Sequence, residues 1–323
     1  MTHLTKEQRY VISCLLEKNK GQKEIADTIG KDKSVICREI KRNKDQRSGL
    51  YKDDLANRKY VARQKDKPKR KKFTPEIKKH VDALLKEDYS PEQIVGVSKD
   101  QGISCVSHEC IYQYVWLDKK NNGELHTHLR RKGRRYRKRG NKKDSRGIIK
   151  NRVIIDKRPD IVEERKRFGD LEVDLIIGKN HNQAILTVND RASGMLKMKK
   201  VKSKESEVVT NAIIEILDDW RPYMHTMTAD NGKEFAGHEI VADNLDIDYY
   251  FAHPYHSWER GSNENLNGLI RQYFPKGSDF TEICDNDIRS VEKKLNNRPR
   301  KRFSFKSPIF VMNSLLFNQK LHL

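Results

Sequence analysis

Apolar residues recur along this chain with two different periods. The first third reads with helical spacing. "LTKEQRYVISCLLEKN" opens with a capping box from Thr5 to Gln8 and then places Ile12, Leu15 and Leu16 on one side. In the next stretch, "GQKEIADTIGKDKSVICREIKRN", Ala26, Gly30 and Ile36 fall at helix-turn-helix offsets. The small residue lets two helices approach, glycine makes the turn, and the aliphatic seats the second helix. Lys33, Ser34, Arg38 and Lys41 then face outward, where a recognition helix meets the major groove. An ordinary helical hairpin with a solvated basic face is the plainer alternative.

A second helical unit follows. In "SPEQIVGVSKDQGISCVSHECIYQYVW", Ser90 caps a helix with Pro91 at its first position, and Gly102 turns the chain. Another helix starts near Ser107, with Ile111, Tyr114 and Val115 inward. This looks like a second helix-turn-helix, although its presumed reading helix carries nothing basic; a packing or dimerisation unit fits the pattern too.

From residue 168 the period changes to two. "FGDLEVDLIIGKN" alternates Leu171, Val173, Leu175 and Ile177 with Glu172, Asp174 and Ile176, which predicts a strand. "QAILTVNDRAS" and "GMLKMKKVK" continue an antiparallel meander, and "SKESEVVTNAIIEILDDW" predicts an amphipathic helix. A short strand then runs into Asp230-Asn231-Gly232, followed by a short helix, a fifth strand in "DIDYYFA", and a helix within 257–273. The order β-β-β-α-β-α-β-α predicts a ribonuclease-H-like domain with a mixed five-stranded sheet and helices on both faces. The fold class is therefore α+β overall, with all-α N-terminal domains ahead of an α/β catalytic domain. The expected boundaries are 1–65, 73–128, a basic linker or arm over 129–160, and 161–312.

Charge separates these parts. The 323 residues carry 67 Lys+Arg against 46 Asp+Glu, a net charge of +21, which points to a polyanion as partner. Residues 1–167 hold 46 of the basic and 24 of the acidic side chains, so the surplus lies entirely in the N-terminal half. The run "RRKGRRYRKRGNKKDSR" has 11 basic residues in 17, cannot pack, and is expected to lie along nucleic-acid phosphates through residues such as Arg134, Arg135 and Arg137. "RQKDKPKRKK" (63–72) reads as a tether. Five scattered cysteines suit reduced thiols, no apolar run is long enough to span a membrane, and no signal-peptide pattern opens the chain. A soluble, intracellular protein is expected. Cys105, His108 and Cys110, with His126 and His128, invite a zinc reading, but C-x2-H-x-C is not a usual ligand spacing and buried thiols suffice.

The neutral half carries the candidate chemistry. "SWERGSNENLNGLIRQY" holds Glu264 among small neutral groups that are weak helix formers, with no Lys or Arg closer than Arg260. In a ribonuclease-H-like sheet the first and fourth strands are neighbours, so Asp174 and Asp230 approach each other and the last helix brings Glu264 toward them. Three convergent carboxylates raise each other's pKa unless a cation intervenes. Two Mg²⁺ ions suit such hard oxygen ligands and serve in-line phosphoryl transfer. On the residues alone, Asp170 and Glu172 compete with Asp174, since all three share one strand face, and Glu234 competes with Asp230.

The segments "GDLEVDLIIGKN", "TADNGKEFAGHE", "FAHPYHSWERGSNENLNGLIRQYFPKGSDF" and "LNNRPRKRFSFKSP" resemble the insertion sequence 30 family of bacterial transposases. So do "LTKEQRYVI", "VICREIKRN", "SPEQI…SHECIY" and "RKGRRYRKRG", which extends the likeness over nearly the whole chain. The resemblance implies the catalytic and metal-binding triad Asp174, Asp230 and Glu264, which selects Asp174 over its neighbours on the strand. It implies a DNA transposase that binds terminal inverted repeats, cuts 3′ ends and transfers strands to target DNA. Two Mg²⁺ per site, or Mn²⁺ as substitute, and a homo-oligomer of at least two protomers on double-stranded DNA go with it. So does a bacterial cytoplasmic, nucleoid-associated location. Leu171 and Val173 stand where the family usually has Trp and Gly, and Cys37 and Cys110 where it often has Ser and Thr, but no metal ligand is lost. A stand-alone ribonuclease-H-like nuclease or resolvase, and a DNA-binding regulator without catalysis, are the rival readings.

Overall fold

The computed structural model describes residues 3–66, 73–132, 149–179, 183–254 and 256–321. The chain divides into two compact units, Met1–Lys72 and Phe73–Leu323.

The first unit holds α1 (Lys6–Glu17), α2 (Gln22–Thr28), α3 (Lys33–Asn43) and α4 (Asp53–Asp66). The capping box forms as the sequence predicts: Gln8 N donates to Thr5 Oγ1 at 3.2 Å and Thr5 N to Gln8 Oε1 at 3.1 Å. Ile12, Ile25, Ala26 and Ile36 meet in one core, so the residues chosen for their offsets are the ones that pack. Gly30 makes the turn with φ +63°, a conformation open to glycine at no steric cost. Arg9 and Glu39 pair at 2.7 Å beneath the helices, and the Tyr51 hydroxyl donates to the same carboxylate at 3.2 Å.

The second unit begins with α5 (Pro75–Lys86), α6 (Pro91–Asp100) and α7 (His108–Lys120), packed around Val81, Leu85, Ile94, Ile111 and Val115. Then come α8 (Ile161–Glu164), β1 (Asp170–Ile177), β2 (Ala184–Asp190), β3 (Leu196–Val201), α9 (Ser206–Leu217), β4 (Thr226–Ala229), α10 (His238–Leu245), β5 (Asp248–Phe251), α11 (Gly261–Tyr273), α12 (Asp285–Asn297) and α13 (Pro308–Leu321). Strands run in the order β3-β2-β1-β4-β5. The first three are antiparallel, while β4 lies parallel to both β1 and β5. This is the ribonuclease-H-like arrangement that the element order predicts.

Helices cover both faces of the sheet. Leu171, Val173 and Leu175 pack with Val209, Ile213 and Leu217 of α9 and with Val241 and Leu245 of α10. Ile176 and Ile185 pack on the opposite side with Leu266, Leu269 and Ile270 of α11 and Ile288, Val291 and Leu295 of α12. Each such side chain contributes about 1.5–3 kcal/mol on burial. With both faces covered, β2 is buried at every position.

Two attachments bear on the site. Residues 149–154, read from sequence as part of the basic arm, lie along the sheet: Phe251 N donates to Val153 O at 2.9 Å, and Ile149 is buried in the core. The helical segment of the second unit is bonded to α11 and α12 beside the sheet. Asp88 accepts from the Tyr273 hydroxyl at 3.0 Å and pairs with Lys294 at 3.3 Å, and Gln272 Nε2 donates to His128 O at 2.9 Å.

Candidate active site

Three acids share one face of β1, and their surroundings set them apart. Asp170 is buried and accepts two bonds from Arg167, at 2.8 and 2.9 Å, and one from the Thr226 hydroxyl at 2.9 Å. Glu172 is fully buried and paired with Arg191, which also reaches Glu163 at 2.8 Å. Both carboxylates are committed to arginines within the fold. Asp174, nearer the end of the strand, is partly buried; it accepts from Leu175 N at 3.0 Å and from Asn267 Nδ2 of α11 at 2.6 Å.

Asp230 follows the end of β4. The parallel register pairs Glu172 with Thr228, so two residues further on Asp230 comes beside Asp174. The turn holding it is built from its own sequence. Gly232 N donates to Asp230 Oδ1 at 2.8 Å, and Asn231 Nδ2 donates to Ala252 O at 2.6 Å. A Cβ at position 232 would fall 2.5 Å from the Glu234 carboxyl carbon, so glycine lets that side chain fold back over the turn. Glu234 therefore lays its carboxyl over the turn, near Asp230. Burial pushes its carboxyl up, and the charges of Asp230 and Asp174 push it further.

One guanidinium joins the two aspartates. Arg260 Nη2 stands 3.4 Å from Asp230 Oδ2 and 3.9 Å from Asp174 Oδ1, while Nη1 donates to Val173 O at 2.9 Å. Burial raises the pKa of Asp174; Arg260 opposes that shift, and Asp230 adds to it. Arg260 is presented by a loop in which Glu259 accepts from His253 N at 2.8 Å and bonds His253 Nδ1 at 2.9 Å. The Glu259 bond holds His253 above the usual imidazole range.

Glu264 lies in the first turn of α11 and is exposed; it takes part in no ion pair among the described residues. The structure therefore brings two of the three predicted acids to a common cation. The third sits three residues before Asn267, the side chain that touches Asp174. Arg260 and Asn267 were not singled out from sequence as site residues. The available signal was their position, four residues before and three after Glu264 on adjoining helical turns.

Among the described residues, the His/Cys/Asp/Glu group with potential ligand atoms all within 4.8 Å is His253, His256 and Glu259. Cys105 and Cys110 are partly buried against the core of α5, α6 and α7, and His108 is exposed. In the first unit Lys33, Ser34, Arg38 and Lys41 are all exposed on α3. Arg38 donates to Ser34 O at 3.0 Å and to Ser34 Oγ at 3.1 Å, and Asp32 caps the helix by accepting from Ser34 N at 2.7 Å. Arg134, Arg135 and Arg137 lie outside the described residues.

A helix-turn-helix unit followed in the chain by a mixed five-stranded sheet, with two aspartates adjacent on β1 and beyond β4, defines a ribonuclease-H-like protein equipped to bind DNA. Residues 1–43 match the model of a helix-turn-helix domain family. The chain is 54% identical to the transposase of insertion sequence element IS4351 from Bacteroides fragilis, over 95% of this chain and 94% of that one. It is 32% identical to transposase InsI of insertion sequence element IS30A from Escherichia coli (strain K12), over 95% and 82%. Among solved structures, the catalytic core domain of BIV integrase matches with a TM-score of 0.38 at 15% identity, over 47% of this chain and 97% of that one. A chain of the simian T-cell lymphotropic virus intasome in complex with PP2A regulatory subunit B56 gamma also matches at 0.38, with 18% identity over 45% of this chain and 54% of that one. The chain belongs to the insertion sequence 30 family of bacterial transposases.

Proposed function

We propose that this transposase binds the terminal inverted repeats of its own element through residues 1–65, cuts the 3′ ends with water, and joins them to target DNA. In the first step water attacks a phosphodiester and the element's 3′-hydroxyl leaves. In the second, that hydroxyl attacks a target phosphodiester and a target 3′-hydroxyl leaves. No covalent protein–DNA bond is required. The observation that carries the reading is the pair of aspartates on neighbouring parallel strands, 3.4 and 3.9 Å from one guanidinium.

The donor set fits a divalent cation. Hard carboxylate oxygens from Asp174 and Asp230 already share a positive group, so the place between them favours one. Asp174 and Asp230 would hold one Mg²⁺ and Glu264 would complete a second, with Mn²⁺ as a substitute. Bound there, the ions supply Lewis-acid activation of the attacking oxygen and charge stabilisation of the leaving one. The chain's own part is positioning. Asn267 orients Asp174, Gly232 N orients Asp230, and Arg260 offsets their mutual repulsion. Lys33, Ser34, Arg38 and Lys41 would read the repeat. Arg134, Arg135 and Arg137 would lie on phosphates, adding salt-sensitive affinity without sequence preference.

Holding two ends together calls for at least two protomers, and the bacterial cytoplasm and nucleoid supply the DNA. Among the described residues no helix is long and apolar enough to cross a membrane. The test is an end-labelled duplex carrying one terminal repeat. Mg²⁺ should yield a nick at the element's 3′ end and a joined product, and chelation should remove both. Specific binding with no cleavage in Mg²⁺ or Mn²⁺ would instead support a DNA-binding regulator.

A further inference from the structure

Beside α11, on the part of the second unit where α6 meets the segment after α12, lies a cavity of about 350 Å³ lined by Arg130, Arg298, Arg300 and Arg302. Among the described residues none of these four forms an ion pair with a carboxylate. Their bonds go to neutral acceptors. Arg130 donates to Asn265 Oδ1 at 2.9 Å, Asn265 O at 3.1 Å and Gly268 O at 3.3 Å. Arg298 donates to Gln272 Oε1 at 3.0 Å and Gln93 Oε1 at 3.2 Å, and Arg300 donates to Leu295 O at 2.9 Å. The one acid on the wall, Glu92, is taken by Lys301 at 3.4 Å. Four like charges are therefore gathered on one wall, with Arg298 buried, Arg300 partly buried and Arg130 and Arg302 exposed; Asp88 acts on Arg298, and Asp190 and Glu172 on Arg302, only from beyond ion-pair distance.

Like charges set this close repel one another, most of all at the partly buried Arg300, and an anion between them would offset that repulsion. Arg300 registers this. Burial first, then the charges of Arg298, Arg302 and Arg130, push its guanidinium down to about 9. Guanidinium forks match phosphate oxygens, and each of these still has N–H donors to give. The volume equals roughly ten water molecules, ample for a phosphodiester with part of its sugar rather than a lone halide. Ser262 and Asn265, on either side of Glu264 in the sequence, line the same cavity.

We propose that this arginine cavity binds a backbone phosphate of the DNA strand engaged at the carboxylate site. Assigning the phosphate to DNA rests on the transposase reading; assigning the cavity to a phosphate does not.

The experiment uses the full chain, in EDTA, with two variants. One is Arg300→Gln combined with Arg302→Gln. The other is Arg302→Gln alone, whose guanidinium lies over Gly194, 2.6 Å from where a Cβ there would be. Without phosphate, both variants should melt no lower than the wild type, since removing a charge relieves repulsion. Inorganic phosphate should raise the wild-type melting temperature saturably and the double variant's much less. Binding to a repeat duplex should lose roughly 0.9 of its log–log salt slope in the double variant, for one phosphate contact. A lower melting temperature of Arg302→Gln without phosphate would make the cluster scaffolding and overturn the proposal. Equal phosphate responses in all three proteins would overturn it as well. A lost phosphate response with an unchanged salt slope would overturn the DNA assignment, whatever the cleavage assay shows.

Discussion

Asn267 donates a 2.6 Å hydrogen bond to Asp174 across the gap between α11 and β1. The helix that carries Glu264 is thereby tied to the strand that carries the first aspartate. If Asn267 orients a metal ligand, Asn267→Leu should reduce Mg²⁺-dependent cleavage by roughly 10–100-fold, as is typical for such outer partners. Repeat binding should be unaffected. Cleavage at wild-type rate would show the bond to be incidental.

Asp174→Asn, Asp230→Asn and Glu264→Gln should each abolish cleavage and joining while leaving repeat binding intact, because each removes a hard anionic ligand and keeps the side chain's shape. Glu234→Gln should retain most activity. Asp170→Asn should instead lower thermal stability, since it weakens a pair whose aspartate is buried and whose arginine is partly exposed; the cost should fall below the about 3–5 kcal/mol of a fully buried pair. Melting curves and gel assays on the same preparations separate the two effects. An active Asp174→Asn protein would put the first ligand elsewhere.

Arg260 and a metal ion would compete for the same two carboxylates. Arg260→Gln should therefore tighten Mg²⁺ binding roughly tenfold, because a positive charge is withdrawn from the place the ion takes. Calorimetric titration of the two proteins measures this. Unchanged or weaker affinity would mean that the guanidinium and the ion do not share that place.

In the first unit, Arg38 is exposed on α3 and braced by Ser34. Arg38→Ala should weaken binding to the repeat by about 1–3 kcal/mol and leave random DNA less affected, if the side chain reads a base edge. Equal losses on both DNAs would reduce it to a phosphate contact.

Asp190 gives a pH dependence whose sign can be worked out. Burial pushes its carboxyl from 3.8 up to about 6, against the bonds it accepts from Ser193 and Gly169 N. Because its folded pKa lies above the unfolded one, the folded protein holds more protons between those two values. The contribution of Asp190 to stability therefore falls as pH rises from about 4 to about 6. Carboxyl-carbon NMR should show Asp190 titrating near 6; an ordinary value near 4 would remove the effect.

Much of this architecture was legible in the order of residues because it depends on local rules. The capping box at Thr5 and the N-cap at Ser90 need only a side chain at or near a helix start, and the structure adds Gln93 to complete a box at Ser90. The strands announce themselves because alternate residues point to opposite faces, and the order of elements then limits how a sheet can be wound. Asp230 was legible for a similar reason, since Asn231 and Gly232 supply the turn chemistry that ends β4. Alternation alone could not separate Asp170, Glu172 and Asp174, since a period of two places all three on one face. Asp170 is taken mainly by Arg167, only three residues away, with Thr226 added from β4, while Glu172 and Asp174 are separated by partners distant in sequence, Arg191 and Asn267. The arginine cavity was equally hidden. Arg130 opens the basic run that the sequence reads as unable to pack, yet it bonds Asn265 and Gly268 of α11, and that docking sets its charge beside Arg298, Arg300 and Arg302. Electrostatic coupling depends on distance through space, and sequence spacing reports that distance only within a turn of helix or a pair of strands.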